Sequence, residues 1–306
     1  MYYFIVNTKS RTGKAADIWK TLEAVLKERN VDYQAFITKS AGHAKELAAE
    51  ISKLPIENIT LVVVGGDGTM NEVINGVKDF SKIRFGYIPL GSGNDLARGL
   101  GVCREPLEAL EKVLGKGSLK QMDLGCVKYG SGKKKYFAIS AGMGIDAFVC
   151  KEAEHSILKK ILNAVGLGNM TYVCLTIKSL FTMPVVRAEI SFDDENIRKL
   201  DQVIFIAAMN QRAEGGGVPM APRATAFDQK LSVCLVHGIP RWKTFFLLPI
   251  LVLGKHENVR GFEIIDCKKC QITLAKKTVL HTDGEYCGMY HDVEVQCIDK
   301  KMNILL

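Results

Sequence analysis

Ile59-Thr-Leu-Val-Val-Val-Gly-Gly-Asp-Gly-Thr69 is the stretch on which the reading of the whole chain turns. A nearly unbroken apolar run of this length, rich in β-branched residues, reads as a strand buried on both faces. It empties into Gly65-Gly66, and a helical pattern begins just beyond Thr69. Glycines at a strand-to-helix turn let the backbone approach a phosphate, and the first N–H groups of the helix point at the anion. Asp67 stands in the middle of that turn. The same residues also read as a capping box between Thr69 and Glu72 with glycines as punctuation. Alone, the stretch leaves a phosphate site and an ordinary turn both open.

A second turn of the same kind follows. Phe85 to Leu90 is another apolar run, and Ile88-Pro-Leu-Gly-Ser-Gly-Asn-Asp95 again passes through glycines into a helix. Asp95 comes 28 residues after Asp67, and Asp123, in Gln-Met-Asp-Leu-Gly, another 28 later. Upstream, Tyr2 to Val6, a helix from about Ala15 to Arg29, Tyr33 to Thr38 and a helix from Ala44 to Lys53 alternate as βαβ units do. The glycine turns therefore meet at the carboxyl edge of a parallel sheet, where open α/β folds bind ligands. Three carboxylates near two such loops suit Mg²⁺ held through waters and substrate phosphates. Each of them could equally be a helix cap or a solvated turn residue. The first connection, Val6-Asn-Thr-Lys-Ser-Arg-Thr-Gly-Lys14, lacks the GxxxxGK[ST] spacing of a Walker A loop. It reads as an exposed polar turn, or as one that offers Asn7 to a nucleotide and Lys14 to its phosphates.

From about Gly125 the pattern becomes strands joined by turns: Tyr136 to Ser140, Val185 to Phe192, Val203 to Met209, Leu231 to His237, Cys270 to Leu274 and Val293 to Ile298, with one helical interruption between Glu152 and Leu180. The chain thus divides into an α/β domain over 1–125, with 299–306 able to return to it, and an antiparallel β-rich domain over 126–298. No flexible linker marks the boundary, so close packing around a cleft is expected.

With 306 residues, 47% hydrophobic and 24% charged, the composition is that of a chain folded throughout. Nine scattered cysteines favour a reducing compartment. The Cys267–Cys270 pair lacks the second pair that a zinc site usually needs and reads as a plain turn or a strand end. The longest apolar run, Phe245 to Leu253, contains Pro249 and is too short to span a bilayer. No leader is evident before Tyr2, and a cytoplasmic location is expected. The net charge of +8 suits an anionic partner: ATP or an acidic membrane leaflet. No nucleic acid-binding motif accompanies it. Arg241, Trp242 and Lys243 beside Phe245 to Leu253 have the make-up of an interfacial element, or of a core helix or strand.

The last constellation is His281-Thr-Asp-Gly-Glu285, in which Asp-Gly is the favoured type I′ hairpin turn. If that loop faces the cleft, it brings Asp283 and Glu285 opposite the glycine turns. Taken together, Asn7 with Gly13 and Lys14, Gly65-Gly-Asp-Gly-Thr69 with Asn71 and Glu72, Pro89-Leu-Gly-Ser-Gly-Asn-Asp95, Asp123-Leu-Gly and Asp283-Gly-Glu285 resemble the bacterial diacylglycerol kinase-like lipid kinases. The similarity extends through Gly215-Gly-Gly-Val-Pro-Met-Ala-Pro222 and Gly254-Lys-His-Glu-Asn-Val259.

The resemblance implies a Rossmann-like nucleotide-binding α/β domain joined to a β-sandwich, with ATP and Mg²⁺ as cofactors. It implies that Asn7, Thr38, Gly65, Gly66, Asp67, Gly68, Thr69, Glu72, Gly91, Ser92, Gly93 and Glu285 hold the nucleotide. Asp67, Asp95 and Asp123 become the magnesium and phosphate network, Lys14 a phosphate contact, and Asp283 the general base, with Asp67 its competitor for that role. Asp228 matches a second, structural magnesium position, although Gln229 replaces the usual glycine after it, and Thr8 replaces the usual proline of the first motif. NAD kinases share the GGDG turn followed by Asn-Glu, but the Gly-Ser-Gly-Asn-Asp loop and the Asp-Gly-Glu ending point to a lipid. The expectation is a lipid kinase that meets its substrate reversibly at an anionic membrane. A kinase of another substrate, a lipid-binding protein without activity, and assembly into a homodimer stay open.

Overall fold

The computed structural model describes residues 1–10, 14–155, 175, 178, 179, 182 and 185–306. It divides into two compact units, Met1–Leu124 with Asp299–Leu306, and Gly125–Ile298. Gly13 and most of the helical stretch expected between Glu152 and Leu180 lie outside the described residues.

The first unit alternates strand and helix: β1 (Tyr2–Val6), α1 (Ala15–Glu28), β2 (Tyr33–Ile37), α2 (His43–Ile51), β3 (Ile59–Gly65), α3 (Asp67–Gly76), β4 (Ile83–Pro89), α4 (Asp95–Leu100), α5 (Pro106–Glu111) and the start of β5 (Leu119–Tyr129). The strands pair in parallel in the order β2-β1-β3-β4. The returning segment adds one more parallel strand, Asn303 and Ile304 lying beside Arg84 and Phe85. β1 and β3 are central and covered on both faces, which is why both are apolar almost throughout. α1 turns Ala15, Trp19, Leu22 and Leu26 inward at helical spacing, onto Phe4, Val6, Val62 and Val64. Each such buried side chain contributes roughly 1.5–3 kcal/mol, so the strand ends stand on a stiff base.

The second unit is antiparallel. After β5 come β6 (Lys133–Phe137), β7 (Ser140–Gly144), α6 (Ile145–His155), β8 (Val186–Phe192), β9 (Arg198–Val203), β10 (Phe205–Met209), β11 (Leu231–Val236), α7 (Arg241–Val252), β12 (Phe262–Cys267), β13 (Lys269–Thr282) and β14 (Glu285–Leu305), whose end enters the first unit. Strand order runs β12-β11-β10-β7-β13-β14. Besides β14, β13 serves two partners: Cys270–Leu274 pairs with β8, and Leu280–Thr282 with β7, while its pairing with β14 shifts register between Thr273 and Thr278. A bulge of this kind lets one strand turn a corner between sheets. Alternate residues of β10 and β11 feed two cores, Ile206, Val233 and Leu235 into one, Phe205, Met209 and Val236 into the other, beneath α6 and α7. Among the described residues no helix is long and apolar enough to cross a membrane.

Two expected strands are shorter than read. Tyr136 to Ser140 divides into the end of β6 and the start of β7, and Val203 to Met209 breaks at Ile204. Cys267 and Cys270 are buried strand residues whose thiols burial pushes up, Cys267 to about 12, so they stay protonated.

Candidate active site

In the order β2-β1-β3-β4 the chain leaves β1 in one direction and β3 in the other, so the sheet reverses its winding between them. Ligands of open α/β folds collect at such a point. Register makes the strand ends level: Val6 lies opposite Val64 and Ile37, and Gly65 opposite Pro89. Asn7 follows β1, and its Nδ2 donates to Thr69 Oγ1 in α3 at 3.0 Å, tying the two segments across the reversal. A Cβ on Gly65 would lie 2.8 Å from that same hydroxyl, so glycine is required for α3 to begin so tightly. Gly66, the N-cap of α3, has no side chain with which to cap the helix, and a helix start of this kind is a place where an anion can be received.

The two glycine turns cross. A Cβ on Gly91 would stand 2.8 Å from the Gly66 Cα, and one on Gly66 3.0 Å from the Gly91 Cα. Only two facing glycines permit that backbone-to-backbone approach. Asp67 pins the crossing: its Oδ2 accepts from the Asp95 N–H at 2.9 Å, and its Oδ1 from the Leu96 N–H at 3.2 Å and the Tyr87 hydroxyl at 3.3 Å. Burial first, then the Asp67 charge, push the Tyr87 phenol well above its ordinary value, so it remains a neutral donor. Asn94, at φ 51°, closes the second loop by taking the Gly91 N–H and giving its amide to the Gly91 carbonyl. Asp95 is ion-paired with Arg98, which also donates to the Gly93 carbonyl. Gly93 faces both carboxylates: its Cβ would meet Asp95 Oδ2 at 3.5 Å and Asp67 Oδ2 at 3.6 Å. Ser92, Gly68 and Thr38 lie on the same loops and strand ends, and Lys14 is exposed at the start of α1.

Other expected site residues are engaged elsewhere. Glu72 is not the partner of Thr69 in a capping box. Its carboxylate takes the Gly42 and Ala44 N–H groups at 2.8 and 3.1 Å, because α2 begins at a glycine with no side chain to cap it. Asp123, 1% exposed, is ion-paired with Lys301 from the returning segment. Among the described residues Asp67, Asp95 and Asp123 do not bring three ligand atoms within 4.8 Å of one another. They offer no closed cage, and their hard oxygens fit an ion that keeps part of its water shell.

In the second unit Asp283 and Gly284, at φ 49° and 83°, form the two-residue turn between β13 and β14. The Asp283 carboxylate accepts three backbone N–H groups, Ile139 at 2.8 Å and Ser140 at 3.0 Å on Oδ1, and Ala138 at 2.9 Å on Oδ2. Those amides have left the strand ladder, which is why the run from Tyr136 to Ser140 breaks. Glu285 opens β14. Asp228 accepts the Lys230 N–H at 3.1 Å around Gln229, which holds a left-handed φ of 63° where a glycine would be unstrained.

The sequence reading missed a buried polar cluster. His281 Nε2 meets Asp146 at 2.5 Å, and Ser140 donates to Glu214. Burial raises Glu214 and the Asp146 charge raises it further, whereas His281 offsets the burial of Asp146 and leaves it lowered. Burial works to lower His281, but Asp146 more than reverses this, to about 9. Protonating Nδ1 forfeits its 3.2 Å contact with the Gly284 N–H, which tempers that rise. Asp146, Cys150 and His281 offer three ligand atoms within 4.8 Å. A metal on Nε2, however, would displace the proton facing Asp146 and leave Nδ1–H aimed at the Gly284 N–H, the reverse of what metal-bound imidazoles require. The signal was present in Gly142-Met-Gly-Ile-Asp146, where an acidic residue follows an apolar strand into the first turn of α6.

Crossed glycine turns at the winding reversal of a parallel sheet, with carboxylates at the crossing, define a phosphate-handling α/β enzyme carrying a β-sandwich. Residues 1–127 match the diacylglycerol kinase catalytic domain, and residues 139–306 the YegS C-terminal NAD kinase beta sandwich-like domain. The chain belongs to the diacylglycerol kinase-like, YegS-like family of lipid kinases. It is 29% identical to YtlR of Bacillus subtilis strain 168, provisionally named a lipid kinase, over 94% of both chains. It is 26% identical to the diacylglycerol kinase of the same strain, over 82% of this chain and 78% of that one. In fold it is similar to a crystal structure of a provisionally named diacylglycerol kinase from Bacillus anthracis str. Sterne, with a TM-score of 0.78 at 19% identity over 99% and 96% of the two chains.

Proposed function

We propose that the protein transfers the γ-phosphate of ATP to the free hydroxyl of diacylglycerol, giving phosphatidic acid, at the surface of an anionic membrane that it binds reversibly from the cytoplasmic side. The observation that carries this reading is the crossing of Gly66 and Gly91 with Asp67 fixed beneath it. Several relatives carry the name diacylglycerol kinase, which favours that acceptor over a sphingoid base, undecaprenol or NAD.

Phosphoryl transfer asks little covalent work of a protein, so positioning and charge carry the rate. The turns Gly65 to Thr69 and Gly91 to Gly93 receive the nucleotide phosphates through backbone N–H groups, with Asn7 and Thr38 beside them and Lys14 as the cation. Asp67, Asp95 and, through water, Asp123 would hold Mg²⁺, which when bound neutralises charge on the phosphate oxygens. The proton of the lipid hydroxyl goes to a carboxylate, Asp283 in this proposal, with Asp67 the competing acceptor. Both carboxylates are held by hydrogen bonds, from the Asp95 and Leu96 N–H groups and the Tyr87 hydroxyl on Asp67 and from three backbone N–H groups on Asp283, which fixes the orientation in which either would take the proton.

The test is incubation with labelled ATP and Mg²⁺ against a panel of diacylglycerol, monoacylglycerol, sphingoid base, undecaprenol and NAD. Labelled phosphatidic acid is the expected product. Label in NAD alone, or in no acceptor, sinks the proposal.

A further inference from the structure

Helix α7 is apolar almost all round, a composition usually found only inside a protein. Thr244 and Leu251 are buried, and Leu247 and Leu248 pack on the core formed with Phe205, Met209 and Phe262. The opposite stripe, at the same helical spacing, runs Trp242, Phe245 and Phe246, Pro249, then Val252 and Leu253, and all six are exposed. Trp242 is 59% exposed, Phe246 66% and Leu253 67%. These rings support one another: Phe246 makes edge contacts with Trp242 at 6.3 Å and with Phe245 at 5.4 Å. The stripe is a preformed surface.

Charge identifies what covers it. Lys243 Nζ lies 5.5 Å from the centre of the Trp242 ring at one end, and Lys255 is exposed just past the other. From Arg241 to Lys255 there is no acidic residue. An apolar stripe with an aromatic anchor and cations at both ends matches the boundary between acyl chains and anionic headgroups. Area argues in the same direction. At roughly 150–250 Å² for a fully exposed aromatic, the stripe offers on the order of 500 Å². A stable protein pair needs about 800 Å² from each partner. A second copy placed on the same stripe would also bring its lysines against these.

We propose that α7 is the element through which this protein docks on an anionic lipid bilayer, lying in the plane of the interface with Trp242, Phe246 and Leu253 inserted and Lys243 and Lys255 at the headgroups. The proposal rests on the reading that the acceptor is a membrane lipid and names the surface that reaches it.

The chain supplies its own reporter. It has two tryptophans, and the other, Trp19, is 6% exposed in the core of the first unit. In a Trp19→Phe protein, mixed phosphatidylcholine and phosphatidylglycerol vesicles should shift Trp242 emission to the blue, and brominated acyl chains should quench it. Phe246→Ser with Leu253→Ser should weaken vesicle partition by at least about tenfold. Turnover of a dispersed short-chain diacylglycerol should not change, because neither residue belongs to the phosphate-binding loops. Vesicle binding without a change in Trp242, binding unaffected by the double substitution, or a dimer that only the double variant dissociates would each overturn the proposal. Partition is measured without ATP. A protein that docks through Trp242 but phosphorylates no lipid therefore refutes the diacylglycerol reading alone, and one that phosphorylates the short-chain lipid but leaves Trp242 in water refutes docking alone.

Discussion

Replacing Asp283 by Asn separates anchoring from proton transfer. Asn tolerates the left-handed φ of 49° at this position, and Asn-Gly is as good a type I′ turn as Asp-Gly, so the backbone has no reason to object. The carboxylate holds three buried-edge amides at 2.8–3.0 Å. An Asn can place its oxygen where Oδ1 accepts from Ile139 and Ser140, but its NH₂ then faces the Ala138 N–H, donor against donor. Ala138 is 1% exposed, so water does not readily replace the lost acceptor. One unsatisfied buried donor costs about 1–3 kcal/mol, and the two remaining bonds lose their charge assistance, about 1 kcal/mol each. The sum is about 3–5 kcal/mol, a fall of about 6–20 °C for a unit of this size. Differential scanning calorimetry measures it, with kcat and kcat/KM taken on a short-chain diacylglycerol well below the transition. If Asp283 is also the base, both rate constants fall together by about 10²- to 10⁴-fold while ATP affinity holds. A midpoint within about 1 °C of the native protein would refute the anchoring argument. Full kcat with weakened ATP binding would remove Asp283 from proton transfer.

Asp67→Asn should lower kcat/KM by about 10²- to 10³-fold, with unchanged far-ultraviolet circular dichroism, and near-normal turnover at saturating Mg²⁺ would show that the carboxylate only fastens α4. Gly91→Ala forces a Cβ to 2.8 Å from the Gly66 backbone, so it should destabilise the first unit by about 1–3 kcal/mol and raise the KM for ATP at least about tenfold, and an unaltered KM would show that the loop crossing does not shape the nucleotide site. His281→Gln tests the buried cluster through pH. A folded value near 9 against an ordinary 6.5 contributes stability that is fully present below pH 6.5 and lost as pH rises through 9. The native protein should therefore lose on the order of 3 kcal/mol relative to the variant across that interval, and parallel melting curves from pH 6 to 9.5 would contradict the charged pair with Asp146.

The alternation of apolar runs with helical periodicity, and the two glycine turns that close β3 and β4, were legible in the chain alone, because strand burial and turn conformation are local consequences of residue type. So was the type I′ turn at Asp283-Gly284, since Asp and Gly tolerate the left-handed conformation that turn needs. What those carboxylates touch was not legible. Glu72 reads as the third residue after Thr69, yet it caps a helix some 30 positions earlier, because that helix begins at Gly42 and cannot cap itself. Asp123 reads as one of three evenly spaced acids, yet Lys301, 178 residues away, reaches it when the last strand returns to the first unit. Asp146 lies in the first turn of α6, Ser140 on β7, His281 on β13 and Glu214 in a loop, with no spacing to connect them, and only the pairing of β7 with β13 brings His281 beside Gly142. The same division holds for α7. Its sequence is apolar on every side, and only the packing of Leu247, Leu248 and Leu251 on one core decides which face is left to the solvent. Sequence fixes what a segment prefers when its neighbours are its own, whereas the partners of a charge or an exposed face are set by which distant strands the sheet places side by side.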